Sequence, residues 1–472
     1  SLLRSTSTLV SNSQSVGFFN IFLAPFIKDL DDATVKSNLR DFLYNLNSCV
    51  NMGGNAGIAI NAELEVPRFL ESVKAVGPNG KSDQYSDYYD ESLRLLRLFL
   101  DLMREPDGAS KPLINPAIFL KVRKKSLVTD KASDCFESAY RLAEAWGSVY
   151  FVNQMLPWQQ SNVFYNANLS RIDSEWKDWE SGTMRVGSLD NVTLNLPRIA
   201  YEANGDDDRL IERLKELLEL AREALSIKKQ ILEERVHIDR LLPLYKEEFE
   251  GNNYFRISDS PGIISYVGLP EAVKYHTGFD LSDSDEALKL STLIIDTMDG
   301  YARQMLPSTR LLTSSITFEP SAQRLAQLDV ASGYLKSKDS QTYTEHSNLP
   351  LTTAIPLRKR LHIEEFFQQK TRGGHLFDLR LEEPFPTYEV LSNNTRRIIE
   401  TAAIGLFTFT RDYSYCSRCR NIIYGFHEKC PECGYDGNRI MLYTKTYGKI
   451  KPSKMWSTND RQFALNTQRF TL

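Results

Sequence analysis

The chain contains no run of eighteen apolar residues, so no segment reads as a membrane-spanning helix. Its first residues, Ser1-Leu-Leu-Arg-Ser-Thr, lack the basic-then-apolar layout of a secretory signal. Basic residues are not in excess. The 57 Lys and Arg against 61 Asp and Glu leave a net charge of −4, which gives no global positive field for nucleic acid. Cysteine is scarce, with six in 472 residues, and four of the six stand close together. That rules against a disulfide-built secreted scaffold and points to a reducing, cytoplasmic compartment. No Lys-Ser or Lys-Thr follows the glycine-rich stretch Asn51–Gly57, and that stretch precedes a strand, so it is not a phosphate-binding P-loop. Gly53-Gly54 reads instead as a turn needing positive φ.

The close cysteines are Cys416-Ser-Arg-Cys419 and, ten residues on, Cys430-Pro-Glu-Cys433-Gly434. Each pair offers two thiolates from one tight turn, and four thiolates complete a tetrahedral shell for Zn2+. The competing readings are two disulfides or four unpaired thiols. A closed shell leaves no open position for substrate, so this site is expected to hold structure. His427 lies inside the spacer and is a substitute ligand only if one thiolate is displaced. His346 and His375 have no second ligand at catalytic-metal spacing.

Apolar periodicity predicts helices near Val35–Leu46, Asp87–Met103, Ser133–Val149, Arg209–Arg235 and Asp285–Gln304. Strands are expected at Ile58–Leu64, around Pro112–Val122, at Val192–Ala200, and near Gly262–Gly268, Ser315–Ser321 and Gln341–Pro350. Strands alternating with helices over this length suggest an α/β fold, a barrel. Residues 1–16, rich in Ser and Thr, read as an arm. The stretch Asn153–Ser188 reads as a long irregular loop.

Taken in order, several motifs resemble the anaerobic, glycyl-radical (class III) ribonucleoside-triphosphate reductases. They are Asn45-Leu-Asn with Gly53-Gly54-Asn55, then Val192-Thr-Leu-Asn195-Leu-Pro-Arg-Ile-Ala200, then Tyr266-Val-Gly268-Leu-Pro-Glu271-Ala. Thr317-Phe-Glu-Pro320, Tyr343-Thr-Glu-His-Ser-Asn-Leu-Pro350, Gly373-Gly374-His and the cysteine knuckle follow. The resemblance implies a ten-stranded α/β barrel of two five-stranded halves, here incomplete at its N-terminal side, with a small C-terminal zinc ribbon. It implies an arm at 1–16, a barrel domain at 17–410, a knuckle at 411–440 and a radical-type loop and tail at 441–472. By family position Gly448 is the radical glycine, and Asn195, Ser347 and Asn348 are substrate-pocket residues. Strand-end capping is the alternative for these three. Family members are homodimers that reduce ribonucleotides and depend on a radical-SAM activase. The implied partners are therefore a second copy or larger assembly, a nucleotide, and the activase if the chain is active.

Two departures shape the functional expectation. The family's relay cysteine belongs on a finger loop about twenty residues before Asn195, yet residues 160–195 contain no cysteine. The window holds Leu169-Ser-Arg-Ile-Asp-Ser-Glu-Trp176. Serine cannot stand in, because an alkoxyl radical is far harder to form than a thiyl. Cys49 and Cys135 read as small buried apolar residues. The first match to the family falls near Val16–Phe26, so a first barrel strand is expected to be missing and its neighbour's edge to need cover. Around Gly448, Lys445 and Lys449 replace the family's Arg and Tyr. The expectation is a homologue with lost or strongly altered catalysis and an assembly role. The alternative is an active reductase making deoxynucleotides.

Overall fold

The structure is a computed structural model, and it describes residues 3, 10, 13–48, 57–172, 186–237, 248–249, 252–253, 255–305, 309–318, 321–335 and 342–472. Cys49, Gly53-Gly54-Asn55 and the second half of the 169–176 window lie outside these. In chain order the main strands are β1 Ser13–Val16, β2 Gly57–Glu63, β3 Ala117–Val122, β4 Val149–Asn153, β5 Asn191–Asn195, β6 Gly262–Val267 and β7 Leu311–Ser314. They continue with β8 Phe377–Arg380, β9 Leu406–Thr410, β10 Tyr413–Cys416, β11 Ile422–Tyr424, β12 Ile440–Thr446 and β13 Lys449–Pro452. The main helices are α1 Phe19–Ile27, α2 Asp32–Ser48, α3 Tyr89–Arg104, α4 Ser133–Trp146, α5 Leu196–Ala203 and α6 Asp207–His237. After these come α7 Leu269–Thr277, α8 Asp285–Gln304, α9 Ser321–Ala331, α10 Leu357–Gln368, α11 Tyr388–Thr401 and α12 Thr458–Asn466. The fold is α/β, as expected. Among the described residues no helix is long and apolar enough to cross a membrane.

The chain forms two compact units. One takes Ser1–Ser161, Tyr165–Asn168 and Phe377–Leu472; the other takes Asn162–Phe164 and Leu169–Leu376. In the first, six strands make one mixed sheet in the order β1-β2-β3-β4-β9-β8. The first four run parallel, and β9 pairs antiparallel with β4. The end of the expected arm is thus a strand: Ser13–Val16 pairs in parallel with Gly57–Ile60 and covers the β2 edge.

Register sorts the side chains of this sheet onto two faces. Ile60, Ile118, Val149, Phe151, Phe407, Phe377 and Leu379 share the apolar face. Phe151 there stacks on Tyr140 of α4 at 5.5 Å and on Phe407 at 5.4 Å. The α3 helix beside α4 buries Leu93, Leu95, Leu96, Leu98, Phe99, Leu100, Leu102 and Met103 on a broad apolar face, and Arg94, Arg97, Asp101 and Arg104 make a charged stripe along the other side. The opposite face carries Asn61, Glu63, Lys121, Tyr150, Thr408, Thr410, Asp378 and Arg380, all buried. Buried charge on that face is paired. Glu63 accepts from Lys121 Nζ at 2.9 Å and from Arg123 Nε at 2.9 Å. Burial pulls the Lys121 ammonium down to about 8 even with Glu63 beside it.

The second unit has three parallel strands in the order β7-β6-β5. Its core joins Leu194, Ile264 and Tyr266 to Leu210, Leu214, Leu218 and Leu225 of α6 and to Ile294, Ile295 and Met298 of α8. Val192–Ala200 is a strand only to Asn195. There the Asn195 side chain accepts from Arg198 N, Pro197 stands at the helix start, and α5 begins. Ser315–Phe318 and Thr342–Pro350, expected as strands, are irregular.

Removing Glu63 leaves two cations without a carboxylate. Glu63→Ala is expected to cost about 3–5 kcal/mol in urea unfolding. Glu105→Ala, at the Arg40–Glu105 pair whose side chains are 46% and 51% exposed, should cost less than about 1 kcal/mol. Equal losses would show that the inner pair is not what holds this end of the sheet.

Candidate functional site

The four knuckle cysteines converge. Cys416 Sγ lies 3.7 Å from Cys433 Sγ, and Cys419 Sγ lies 3.6 Å from Cys430 Sγ. All four sulfurs fall within 4.8 Å of one another. A tetrahedron of Zn–S bonds of 2.3 Å has edges of about 3.8 Å, whereas a disulfide needs about 2.05 Å. The four thiols could therefore hold a metal ion, and the geometry is compatible with zinc. The two halves are built alike. Arg420 N donates to Cys416 O at 2.8 Å and Gly434 N to Cys430 O at 2.9 Å. Arg420 and Gly434 both take positive φ, 61° and 68°. Burial raises the Cys416 thiol, but the N–H groups of Cys419 and Arg418 and the neighbouring thiols outweigh it and bring it down to about 7. His427 Nε2 instead meets Tyr424 O at 2.8 Å.

The knuckle leads into the Gly448 hairpin. Cys416 is the register partner of Ile440, so the metal site stands at the foot of β12. The β12–β13 turn consists of Tyr447 and Gly448 alone, with φ 50° and 73°. Two positive φ values make the type I′ geometry that two-residue hairpins favour, which asks for glycine at the second place. Gly448 O accepts from Tyr150 Oη of β4 at 2.6 Å. At about 3.4 Å per residue, the turn stands some 24 Å from the start of β12, out of bonding reach of the metal.

Lys445 points back into the sheet's polar face. Its Nζ reaches Thr408 Oγ1 and, at 3.2 Å, Phe409 O, and it lies 4.8 Å from the Tyr150 ring centroid. Its backbone carbonyl accepts from Arg380. Burial drags its ammonium down to about 7; Asp378 opposes this and Arg380 adds to it.

In the second unit the candidate pocket residues gather at the C-terminal ends of β5, β6 and β7, where open parallel sheets bind ligands. Gly268 N donates to Thr344 O at 2.8 Å, and His346 N donates to Ser315 O at 3.1 Å. Each candidate is engaged internally. Asn195 caps α5, and its Nδ2 donates to Asp329 at 2.9 Å; Arg198 Nε donates to the same carboxylate at 2.7 Å. Ser347 Oγ meets Leu349 O and Glu364 Oε1, the latter at 3.1 Å. Asn348 Oδ1 accepts from Tyr266 Oη at 2.6 Å. Glu364 and His375 tie this cluster together, with His375 Nε2 at 2.8 Å from Glu364 Oε2 and Nδ1 at 3.1 Å from Ser315 Oγ. Burial would raise Glu364, but His375, Arg360 and Leu349 N–H outweigh it and hold its carboxyl below the usual range.

Gly373-Gly374 packs against Leu169–Arg171, where the sequence window expected for the finger loop begins. Arg171 N donates to Gly373 O at 2.8 Å, and a Cβ on Gly374 would meet Leu169 O at 2.7 Å. Asp329 and Glu364 escaped sequence reasoning, because their partners are distant in sequence. His375 and Glu271 stood in quoted motifs without these partners being foreseen; Glu271, in the first turn of α7, accepts through Oε1 from Thr344 N at 2.9 Å and from Thr344 Oγ1 at 2.7 Å.

A family model described as anaerobic ribonucleoside-triphosphate reductase matches residues 1–462, and the chain belongs to that family. A solved anaerobic ribonucleotide reductase is similar with a TM-score of 0.79 at 18% identity, over 100% of this chain and 73% of that one. The Thermotoga maritima anaerobic ribonucleotide reductase in complex with dATP and CTP is similar with a TM-score of 0.76 at 18% identity, over 98% and 76%. The same enzyme with glycerol in the active site gives 0.77 at 18% identity, over 98% and 74%. At this identity the likeness shows the fold. No curated protein sequence matches.

Two expectations follow. Cys430→Ser should lose the bound metal and lower Tm by several degrees, read by metal analysis and thermal unfolding on one sample; unchanged metal content would count against the four-thiolate site. For Lys445, the unfolded state holds its proton up to the ordinary 10.5 and the folded state only to about 7. The unfolded state therefore binds more protons between these values, and the cost of burying Lys445 fades as pH rises. From pH 7 to pH 9 the native chain should gain about 2 kcal/mol relative to Lys445→Met. Parallel pH profiles for the two proteins would refute this.

Proposed function

We propose that this chain is a class III ribonucleotide reductase homologue in which glycyl-radical catalysis is lost or strongly altered, and that its fold serves a structural or assembly role. The observation that carries this reading is the distribution of thiols. Four of the six cysteines sit in the knuckle, and residues 160–195 hold none. Cys135 is buried on α4 with its Sγ 3.2 Å from Leu93 O, and burial pushes its thiol up to about 12. A thiol so placed packs two helices together and does not meet a substrate ribose. The internal engagement of Asn195, Ser347 and Asn348 supports the same reading.

On this reading the metal is Zn2+ in a structural role, and it anchors the Gly448 hairpin without touching any reacting atom. The family's motifs and the dATP and CTP held by the Thermotoga maritima enzyme make a nucleoside triphosphate the natural ligand class for the strand ends near Asn195 and Ser347. Self-association, as a dimer or larger assembly, follows from the family and from β1 lying at the edge of the six-stranded sheet.

The test is anaerobic incubation of the full, metal-loaded chain with a radical-SAM activase, S-adenosylmethionine, reductant and ribonucleoside triphosphates. The expected result is no glycyl-radical EPR doublet and no deoxynucleotide. A doublet accompanied by deoxynucleotide formation would establish the active reductase instead.

A further inference from the structure

The β12–β13 hairpin has a second face that neither the metal site nor the Gly448 turn accounts for. Thr446 is the register partner of Lys449, and Thr444 that of Lys451, so these four side chains share one face. Lys449 Nζ bonds Asn168 Oδ1. The other end of that amide, Asn168 Nδ2, has no hydrogen-bond partner, and neither has Thr446 Oγ1, although Asn168 is only 4% exposed and Thr446 0%. Among the described residues no carboxylate oxygen lies within ion-pair distance of Lys449 or Lys451. On this face Thr444 Oγ1 donates to Asp412, whose carboxylate pairs with Arg469 Nε at 2.6 Å. Burial lowers the Lys449 ammonium to about 8, and the charge of Lys451 adds to that.

Buried polar groups are ordinarily satisfied, and a half-buried ammonium without a counter-charge is costly. Here two ammonium groups, one hydroxyl and one amide N–H share a small region, and no carboxylate among the described residues lies within ion-pair distance of either ammonium. All are donors, and donors of this kind bind oxyanions through charge-assisted hydrogen bonds. We propose that Lys449, Lys451, Thr446 and Asn168 form a binding site for a phosphate group, either free phosphate or one carried by a nucleotide. The site uses none of the residues at the strand ends near Asn195 and Ser347, and it needs the hairpin together with Asn168. An EPR result of either sign therefore leaves it standing.

The test uses the full, metal-loaded chain at low ionic strength. Binding of inorganic phosphate and, separately, of ATP is followed by calorimetry against sodium chloride of matched ionic strength. Saturable binding is expected, weakened at least about tenfold by Lys449→Gln and severalfold by Thr446→Val. Lys449→Arg keeps the charge and should retain binding within about threefold, which separates a lost site from a lost fold. ATP binding tighter than phosphate assigns the site to a nucleotide; binding of phosphate alone assigns it to the free anion. No saturable binding of either by the native chain, or equal affinities in Lys449→Gln, overturns the proposal.

Discussion

Charge held away from water constrains the first unit more than any apolar contact does. The polar face of its six-stranded sheet carries Glu63, Lys121, Asp378 and Arg380, all buried. An uncompensated ion there would cost about 3–5 kcal/mol, a large share of a typical domain's stability. Glu63 answers Lys121 and Arg123 at one end of the sheet. At the other, Arg380 lies 3.2 Å from Asp378 and donates to the carbonyl of Lys445, while Lys445 Nζ returns to Thr408 and Phe409 of β9. Tyr150, stacked on Phe119 at 4.9 Å, donates to Gly448 O from the middle of the sheet. The hairpin therefore supplies acceptors that the sheet's polar face requires, and the sheet supplies the surface that orders the hairpin.

The knuckle completes this arrangement from the other side. A two-stranded hairpin is marginal by itself. This one is extended to four strands, β11-β10-β12-β13, and its first turn of register joins Cys416 to Ile440. Tyr413 stacks on Tyr443 across that pair at 5.1 Å, and Trp146 of α4 closes on Tyr413 at 5.7 Å. A metal ion held by the four thiols would cross-link the turns and fix the foot of the hairpin at modest entropic cost, because the cysteines are close in sequence. The tip is then positioned by Tyr150, Lys445 and Lys449.

What was legible in the sequence was what is encoded locally. The knuckle follows from spacing alone. The helix Asp285–Gln304 follows from its apolar period and from Ser284, whose hydroxyl accepts from Glu286 N and Ala287 N. The early end of β5 was also written locally, since Asn195 and Pro197 are cap and first-turn residues; hydrophobic continuity through Val192–Ala200 masked it. Ser13–Val16 was harder to read. Ser-Gln-Ser-Val has little strand signal, and its strand exists because the β2 edge offers parallel pairing. Least legible were the long-range polar contacts. Asn195 meets Asp329 across 134 positions, and Asn61 Nδ2 meets Tyr165 O across 104. No periodicity carries such contacts; only the fold brings them together.

Glycine at 448 has two sufficient causes, and this limits what it can say about chemistry. A radical position needs a Cα without a side chain. A two-residue turn with φ 50° and 73° also needs it, since the second position disfavours any Cβ. Tyr447 shows that the first position tolerates a side chain, at a cost offset by its stacking on Phe463 at 5.1 Å. The turn would thus call for Gly448 even if no radical were ever formed there. A relay thiol has no such second cause, because nothing in local backbone geometry demands a cysteine on a finger loop. The absence of cysteine from 160–195 therefore weighs more on the question of catalysis than the presence of the glycine does.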